Sequence, residues 1–199
     1  MCFFNMKKLN SKELRNLPIE SAGFFTDQVT RNGIILILEN IYDTYNVGGL
    51  FRLADALAVQ KMYLCGQMEV PPNPKIAKAS VGTDKIVPWE YRESTVGVIE
   101  ELRKKYSDLN GSEKSSGDIG DNMIKIYAVE QSAGSIPYHE VLFPSMVALV
   151  VGNETFGVSG ETLKAVDEIL EIPMWGINKS LNVIVSAAIV SYHAINSKQ

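Results

Sequence analysis

Cysteine and histidine are scarce in this 199-residue chain, which has two of each. Cys2 and Cys65 do not have the spacing of a metal site, and Cys65, at the end of an apolar run, is expected to be a buried reduced thiol. His139 and His193 are far apart in the sequence and too few for a metal cluster. We therefore expect no metal in this protein.

Long hydrophobic runs are also absent, and no segment approaches the roughly 20 apolar residues that a membrane-spanning helix needs. The first residues contain no apolar stretch of secretory length, so we expect no signal peptide. Hydrophobic residues make up 46% of the chain and charged residues 21%, as in ordinary globular proteins. A cytoplasmic protein of one or at most two domains is the expectation.

The chain has no excess of positive charge. Its formal net charge is −4 and its pI is about 5.3, which is unusual for a protein that binds nucleic acid broadly and without specificity. A local basic surface is still compatible with this balance. The candidates for it are Lys75, Lys78, Lys85 and Arg92, with a plain solvated face as the alternative.

Apolar runs and helical stripes alternate along the chain, and this alternation predicts an α/β fold with a mostly parallel sheet. Predicted strands cover residues 34–38, 61–65, 86–89, 124–129, 146–151 and 169–172. Predicted helices cover about 48–58, 75–80, 98–106 and 180–196. We expect a short N-terminal extension at 1–32 with one helix near 11–15, a main domain at 33–199, and a flexible surface loop at 107–122.

Three polar segments follow predicted strands, where ligands bind in parallel sheets. The first contains Asn46, Gly48 and Arg52 at the start of a helix. Asn46 is predicted either to be a helix N-cap or to serve a site, and Arg52 either to be a solvated side chain or to face an anionic substrate. The spacing of the glycines matches neither the dinucleotide-binding nor the P-loop pattern.

The second segment, residues 150–159, ends a strand in a glycine turn that carries an acid. One interpretation is a tight loop with Glu154 merely exposed. The other is that Gly152 lets a ligand approach the backbone while Asn153 and Glu154 make polar contacts.

The third segment runs from Ile172 to Val183. Pro173 stops a strand, a polar loop follows, and Ser180 is predicted to cap a long apolar helix. Asn182 would then lie in the first turn of that helix, where asparagine is a poor helix former. The first turn of a helix offers unpaired N–H groups to a ligand.

Together the three segments resemble motifs one to three of the SpoU/TrmH family of RNA 2′-O-ribose methyltransferases, in the family's order. The matching residues are Asn46-x-Gly48-x-x-x-Arg52, Gly152-Asn153-Glu154-x-x-Gly157-x-Ser159, and Ile172-Pro173-Met174 through Ser180-Leu181-Asn182-Val183. The segment from Lys78 to Thr83 is also similar to the family, and the resemblance extends over about residues 33–196.

The resemblance implies the SPOUT fold, an α/β domain with helices on both faces of the sheet and a C-terminal deep trefoil knot, which is a rare exception among protein chains. It implies a homodimer whose active site takes residues from both subunits. It also implies that S-adenosyl-L-methionine binds in the knot, mainly through backbone groups. The cofactor-binding residues expected by position are Val129, Gly152, Ile172, Met174 and Leu181.

By the same resemblance, the catalytic residues are Arg52, Asn46, Glu154, Ser180 and Asn182. A free arginine side chain has a pKa above about 12 and is a poor base at neutral pH. Two roles for Arg52 therefore stay open: general base late in the reaction, or a cation that holds phosphate and stabilises the developing alkoxide while water takes the proton.

The implied substrate is RNA, with tRNA expected because the 1–32 segment is too short for the extra RNA-binding domain of many family members. Alternatives are an rRNA methyltransferase, a noncatalytic RNA-binding or nucleotide-binding protein on the same fold, and a doubly wound protein of flavodoxin type without a knot.

Overall fold

The computed structural model describes residues 8–111 and 123–197. In this part of the chain, seven parallel strands form one sheet in the order β3-β2-β1-β6-β4-β7-β5. The strands are β1 (Asn32–Glu39), β2 (Val59–Cys65), β3 (Trp89–Arg92), β4 (Lys125–Val129), β5 (Ile136–Pro137), β6 (Val147–Val151) and β7 (Glu168–Glu171).

Helices pack on both faces of the sheet. They are α1 (Ser11–Arg15), α2 (Ile19–Gln28), α3 (Thr44–Ala56), α4 (Pro74–Ser80), α5 (Thr95–Gly111), α6 (Gly160–Ala165) and α7 (Val183–Asn196). Successive strand residues face opposite sides. Leu36 and Leu38 therefore join a core with α3, α4 and α7, and Ile35 and Ile37 join a second core with α5 and α6.

The predicted α/β class and the parallel sheet are confirmed. The strand predicted at 86–89 is displaced, because β3 begins at Trp89. The backbone N–H groups of Ile86 and Val87 donate to the carbonyl of Thr83 at 3.0 and 2.9 Å, and Pro88 has no N–H group. This segment therefore cannot donate to a strand ladder.

The loop predicted at 107–122 is wrong in its first part, because α5 continues to Gly111. The helix started by the apolar residues of 98–106 propagates through the polar residues that follow, since each added residue contributes a backbone hydrogen bond. Residues 112–122 lie outside the described part of the chain. The predicted helix at 11–15 is present, while α2, α6 and the two-residue β5 were not predicted.

No helix in residues 8–111 and 123–197 is long and apolar enough to cross a membrane. Within the same residues, no three His, Cys, Asp or Glu side chains are grouped so that they could hold a metal ion.

Candidate functional site

A cavity of about 740 Å³ opens at the carboxyl ends of β1, β4, β6 and β7. The loops that follow these strands form its walls, since parallel strands bring their carboxyl ends to one edge of the sheet. The five residues predicted to bind the cofactor all line it: Val129, Gly152, Ile172, Met174 and Leu181. The cavity thus combines apolar side chains with backbone from four separate loops.

Asn46 connects the polar residues at this cavity. Its side-chain Nδ2 donates to Glu154 Oε1 at 2.8 Å, and its Oδ1 accepts from Asn182 Nδ2 at 3.0 Å. The Oδ1 of Asn182 accepts in turn from the backbone N–H of Ile184 at 2.9 Å. Three of the predicted site residues therefore form one hydrogen-bonded chain, and Glu154 and Asn182 each lie more than 100 positions from Asn46 in the sequence.

Both predicted helix caps are wrong. Helix α3 begins at Thr44, and the carboxylate of Asp43 caps it by accepting from the N–H of Tyr45 at 2.8 Å. Helix α7 begins at Val183, and Asn182 is its N-cap in place of Ser180. Asn182 therefore lies before the helix and not within its first turn. Its position in an apolar segment has a local cause, since asparagine is among the strongest N-cap residues.

Glu154 holds the chain between β1 and α3. Its carboxylate accepts from the backbone N–H of Tyr42 at 3.2 Å and from that of Asp43 at 3.3 Å, besides Asn46. A carboxylate with three such donors is fixed in orientation. Glu154 is thus more than an exposed side chain: it positions the start of α3.

Gly152 is required by the protein's own backbone. A Cβ atom there would lie 2.3 Å from the carbonyl carbon of Gly157 and from the backbone nitrogen of Val158. The turn is closed by two backbone hydrogen bonds between Asn153 and Gly157, at 3.0 and 2.9 Å. Of the two interpretations of this segment, the tight loop accounts for the glycine without a ligand, although Gly152 does line the cavity.

Two acidic residues that sequence reasoning missed hold the same loop. Buried Glu39 accepts from the N–H and Oγ of Ser159 at 2.8 and 3.0 Å and from Thr162 Oγ1 at 2.6 Å. Glu130 Oε2 accepts from the N–H of Val158 at 2.9 Å. Each acid ends or follows an apolar strand, and that sequence pattern could have identified them.

Ser180 lines the cavity, but Arg52 is not among its lining residues. Arg52 is exposed on α3, on the same helix face as Tyr45 and Gly49, since these three positions follow the i, i+4, i+7 spacing. A Cβ atom on Gly49 would lie 2.3 Å from Ile184 Cδ1, so this face borders α7. A single copy of the chain therefore brings together four of the five predicted catalytic residues.

The four basic candidates for an RNA surface divide into two pairs. The ammonium of Lys85 donates to the carbonyls of Arg15 and Leu17, both at 3.0 Å. Arg92 pairs with Glu90 and Glu101. The pKa of Glu90 is lowered to about 2, mainly by the hydrogen bond from Arg92 and to a smaller extent by the hydrogen bond from Lys61. Lys75 and Lys78 are exposed on α4. Lys85 and Arg92 thus have structural partners, and the α4 lysines are the remaining candidates.

Comparisons with known proteins agree with this geometry. The chain is 30% identical over 159 residues to "23S rRNA (guanosine(2553)-2'-O)-methyltransferase RlmP" of Bacillus subtilis (strain 168), over 80% of this chain and 56% of that protein. The chain thus spans less than two thirds of that relative. The crystal structure of the A. aeolicus TrmH/SpoU tRNA modifying enzyme matches with a TM-score of 0.68 and 26% identity, over 94% of this chain and 81% of that one.

The SpoU methyltransferase AviRb from Streptomyces viridochromogenes, solved in complex with the cofactor AdoMet, has the same fold. It matches with a TM-score of 0.69 and 22% identity, over 84% of this chain and 58% of that one. Residues 33–192 match the SpoU rRNA Methylase family. This range holds most of the chain and all three motifs, and the protein belongs to the SpoU rRNA Methylase family.

Proposed function

We propose that this protein transfers a methyl group from S-adenosyl-L-methionine to a ribose 2′-hydroxyl of RNA. The observation that carries the proposal is the hydrogen-bonded chain Glu154–Asn46–Asn182 at the cavity. It joins residues from all three motifs of the family, and a protein that only binds RNA has no need of such an arrangement.

The cavity suits S-adenosyl-L-methionine. Its volume of about 740 Å³ lies within the roughly 300–1,000 Å³ that is usual for small-molecule sites. The apolar side chains of Val129, Ile172, Met174 and Leu181, together with the backbone at Gly152, would hold the cofactor. When bound, it supplies an electrophilic methyl group on a positively charged sulfur.

The walls of the cavity are fixed relative to one another by the hydrogen bonds of Asn46, Glu154 and Asn182. Glu154 ties the loop after β6 to the start of α3, and Asn182 ties the start of α7 to Asn46. Ser180 lines the cavity as a hydroxyl that can contact the substrate. Such fixed alignment is a large part of what an enzyme contributes to a group transfer.

Arg52 has one of two roles. As the 2′-hydroxyl oxygen bonds to the methyl carbon, the bond from that carbon to sulfur would break and S-adenosylhomocysteine would leave. The hydroxyl proton would go either to Arg52, once its guanidinium has given up a proton of its own, or to water. In the second case Arg52 holds the neighbouring phosphate and stabilises the alkoxide. Because Arg52 lies outside the cavity of its own chain, we infer that it serves the cavity of a second copy in a homodimer.

The substrate class that we propose is tRNA, with rRNA as the second candidate. Relatives of this chain include the rRNA methyltransferase RlmP and the A. aeolicus tRNA modifying enzyme. The exposed Lys75 and Lys78 on α4 are the proposed RNA contacts. Mapping 2′-O-methylated positions in RNA from cells with and without the gene identifies the substrate. Loss of a methyl group from rRNA alone would contradict the tRNA assignment.

We also infer that the segment of residues 172–182 is threaded to form the deep trefoil knot of the SPOUT fold. In support, β7 lies two strands beyond β6 in the sheet, while α7, which follows this segment, returns to pack against α3 and β6.

The central test is Arg52→Ala. We expect methyl transfer to unmodified tRNA and rRNA transcripts to be lost, while S-adenosylhomocysteine binding in calorimetry stays close to that of the wild type. Lys104→Ala is the control, because Lys104 is an exposed cation on α5, which packs on the other face of the sheet. Full activity of Arg52→Ala would refute both roles of the arginine, and a wild type that binds neither cofactor form would refute the proposed function.

A further inference from the structure

Trp175 lies on the segment of residues 172–182 and is directed away from the protein. It follows Met174, which lines the cavity, and 92% of its surface is exposed. Tryptophan has the largest apolar side chain and is usually well buried, because burial of its rings stabilises the fold. An exposed tryptophan next to a residue that lines the proposed cofactor cavity is therefore a candidate for binding the substrate.

The reaction itself places a flat group near Trp175. A ribose whose 2′-hydroxyl enters the cavity carries its nucleobase on the neighbouring carbon, so the base must lie at or close to the cavity mouth. Proteins that read single-stranded RNA bind splayed bases by stacking them on aromatic side chains. Trp175 is the only aromatic residue in the segment 172–182.

The surroundings of Trp175 are open and suit an anionic chain. A Cβ atom built on the adjacent Gly176 would meet nothing within 4 Å, so there is room beside the tryptophan for a planar ring. The segment contains no aspartate or glutamate, and its one cation, Lys179, lines the cavity. These features fit a ligand that combines a planar ring with negative charge, as a nucleotide does.

We propose that Trp175 is a substrate-binding residue that stacks on the base of the nucleotide to be methylated. The inference rests on the proposed function and deepens it, since it names the contact that holds the target nucleotide at the cavity. Stacking accepts any base face, so Trp175 contributes to affinity for an unpaired nucleotide and not to the choice among bases.

The kinetic test compares variants of the full-length protein on unmodified tRNA and large-subunit rRNA transcripts. We expect Trp175→Ala to raise the KM for RNA by about tenfold or more, the scale of one lost base stack, with kcat and S-adenosylhomocysteine affinity nearly unchanged. Trp175→Tyr should restore most of the affinity, whereas Trp175→Leu should not. Ile177→Ala is the matched control, because Ile177 lies two residues away and is fully exposed but has no ring.

A fluorescence test does not depend on turnover. The chain has two tryptophans, and the other, Trp89, packs edge-on against Phe51 with 6.2 Å between ring centroids. Trp89→Phe therefore leaves Trp175 as the sole tryptophan. In the free protein, we expect acrylamide to quench the emission of Trp175. When the transcripts are added with S-adenosylhomocysteine, stacking on a base should lower that emission and should shield the ring from further quenching by acrylamide.

The outcomes separate this inference from the proposed function. An active wild type with an unchanged KM in Trp175→Ala would overturn the stacking role alone. So would a Trp175 already protected from acrylamide without RNA, because a second subunit would then cover it. A wild type that neither binds nor methylates the transcripts would overturn both proposals.

Discussion

Gly48 and Gly49 lie in helix α3, where that helix is closest to two others. A Cβ atom on Gly48 would lie 2.5 Å from the Cβ of Ala79 and 2.8 Å from the backbone nitrogen of Ser80, both at the end of α4. These atoms cannot move away as the tip of a long side chain can. The glycine of motif one is therefore a packing residue, and it fixes the helix that carries Asn46 and Arg52.

We expect Gly48→Ala to destabilise the protein by about 1–3 kcal/mol, the usual cost of overpacking a tight contact. Urea unfolding followed by circular dichroism measures this. Gly23→Ala is the control, because Gly23 is also helical and its added Cβ would meet nothing within 4 Å. That control should gain up to about 1 kcal/mol from helix propensity. Equal stability of the two variants would show that the packing argument is wrong.

At the scale of single residues, the sequence predicted part of the grouping at the cavity, but neither the helix caps nor the position of Arg52 outside the cavity. Residue type and order placed Asn46, Glu154 and Asn182 at one edge of a parallel sheet. The caps were misassigned because Asp43, Asn46, Ser180 and Asn182 are all acceptable N-cap residues. Which of them becomes the cap depends on where the chain enters the helix, and the hydrogen bonds to other loops decide that.

At the scale of elements, strongly apolar strands and long amphipathic helices were predictable, because one buried face imposes a regular period. Helices α2 and α6, each with one buried residue, were not predicted. Helix α6 has six residues and depends on buried Glu39, which accepts from the cap residue Ser159 and from Thr162. Helix α2 has one buried side chain, Ala22. Such elements are stabilised by distant contacts that a local pattern does not contain.

The two N-terminal helices are attached to the main domain next to α4. Lys85 donates to the carbonyls of Arg15 and Leu17, and Thr26 Oγ1 donates to the carbonyl of Ile86 at 2.9 Å. A Cβ atom on Gly82 would lie 2.6 Å from the carbonyl oxygen of Leu14. The short extension is thus docked on the segment between α4 and β3.

Lys85→Met should loosen this attachment, because methionine keeps the apolar stem but cannot donate to the two carbonyls. We expect faster amide hydrogen exchange in residues 8–28, with little change at the cavity loops and in S-adenosylhomocysteine binding. Lys78→Met is the matched control, since Lys78 is an exposed lysine on α4. Unchanged exchange in residues 8–28 would mean that Lys85 does not hold the helices.

At the scale of the whole molecule, the sheet explains why a site could be predicted at all. Four loops from distant parts of the sequence meet at one edge, because all the paired strands in residues 8–111 and 123–197 are parallel. The location of Arg52 relative to that site could not be predicted from one chain. A second copy that completes the site, as proposed above, would account for its place outside the cavity.

Exposed apolar side chains on α3 and α7 suit such a partner. Val185 and Tyr192 on α7 and Tyr45 on α3 are large apolar side chains that remain exposed. Burial of such residues is the main favourable contribution to a stable protein interface. In a twofold symmetric dimer each copy would present the same face, so each Arg52 could reach the cavity of the other copy.

Mixing two inactive variants tests whether Arg52 acts across a dimer. We expect light scattering to give twice the chain mass of 22.0 kDa for the wild type. Arg52→Ala and Asn46→Ala should each be inactive when alone.

When the two variants are unfolded together and refolded as a mixture, half of the dimers contain one copy of each. If Arg52 acts in trans, one of the two sites in such a dimer has both residues, and activity should return to about a quarter of the wild type. If Arg52 acts within its own chain, both sites stay defective and the mixture stays inactive. Circular dichroism and S-adenosylhomocysteine binding of each variant confirm that the loss of activity is not a loss of folding.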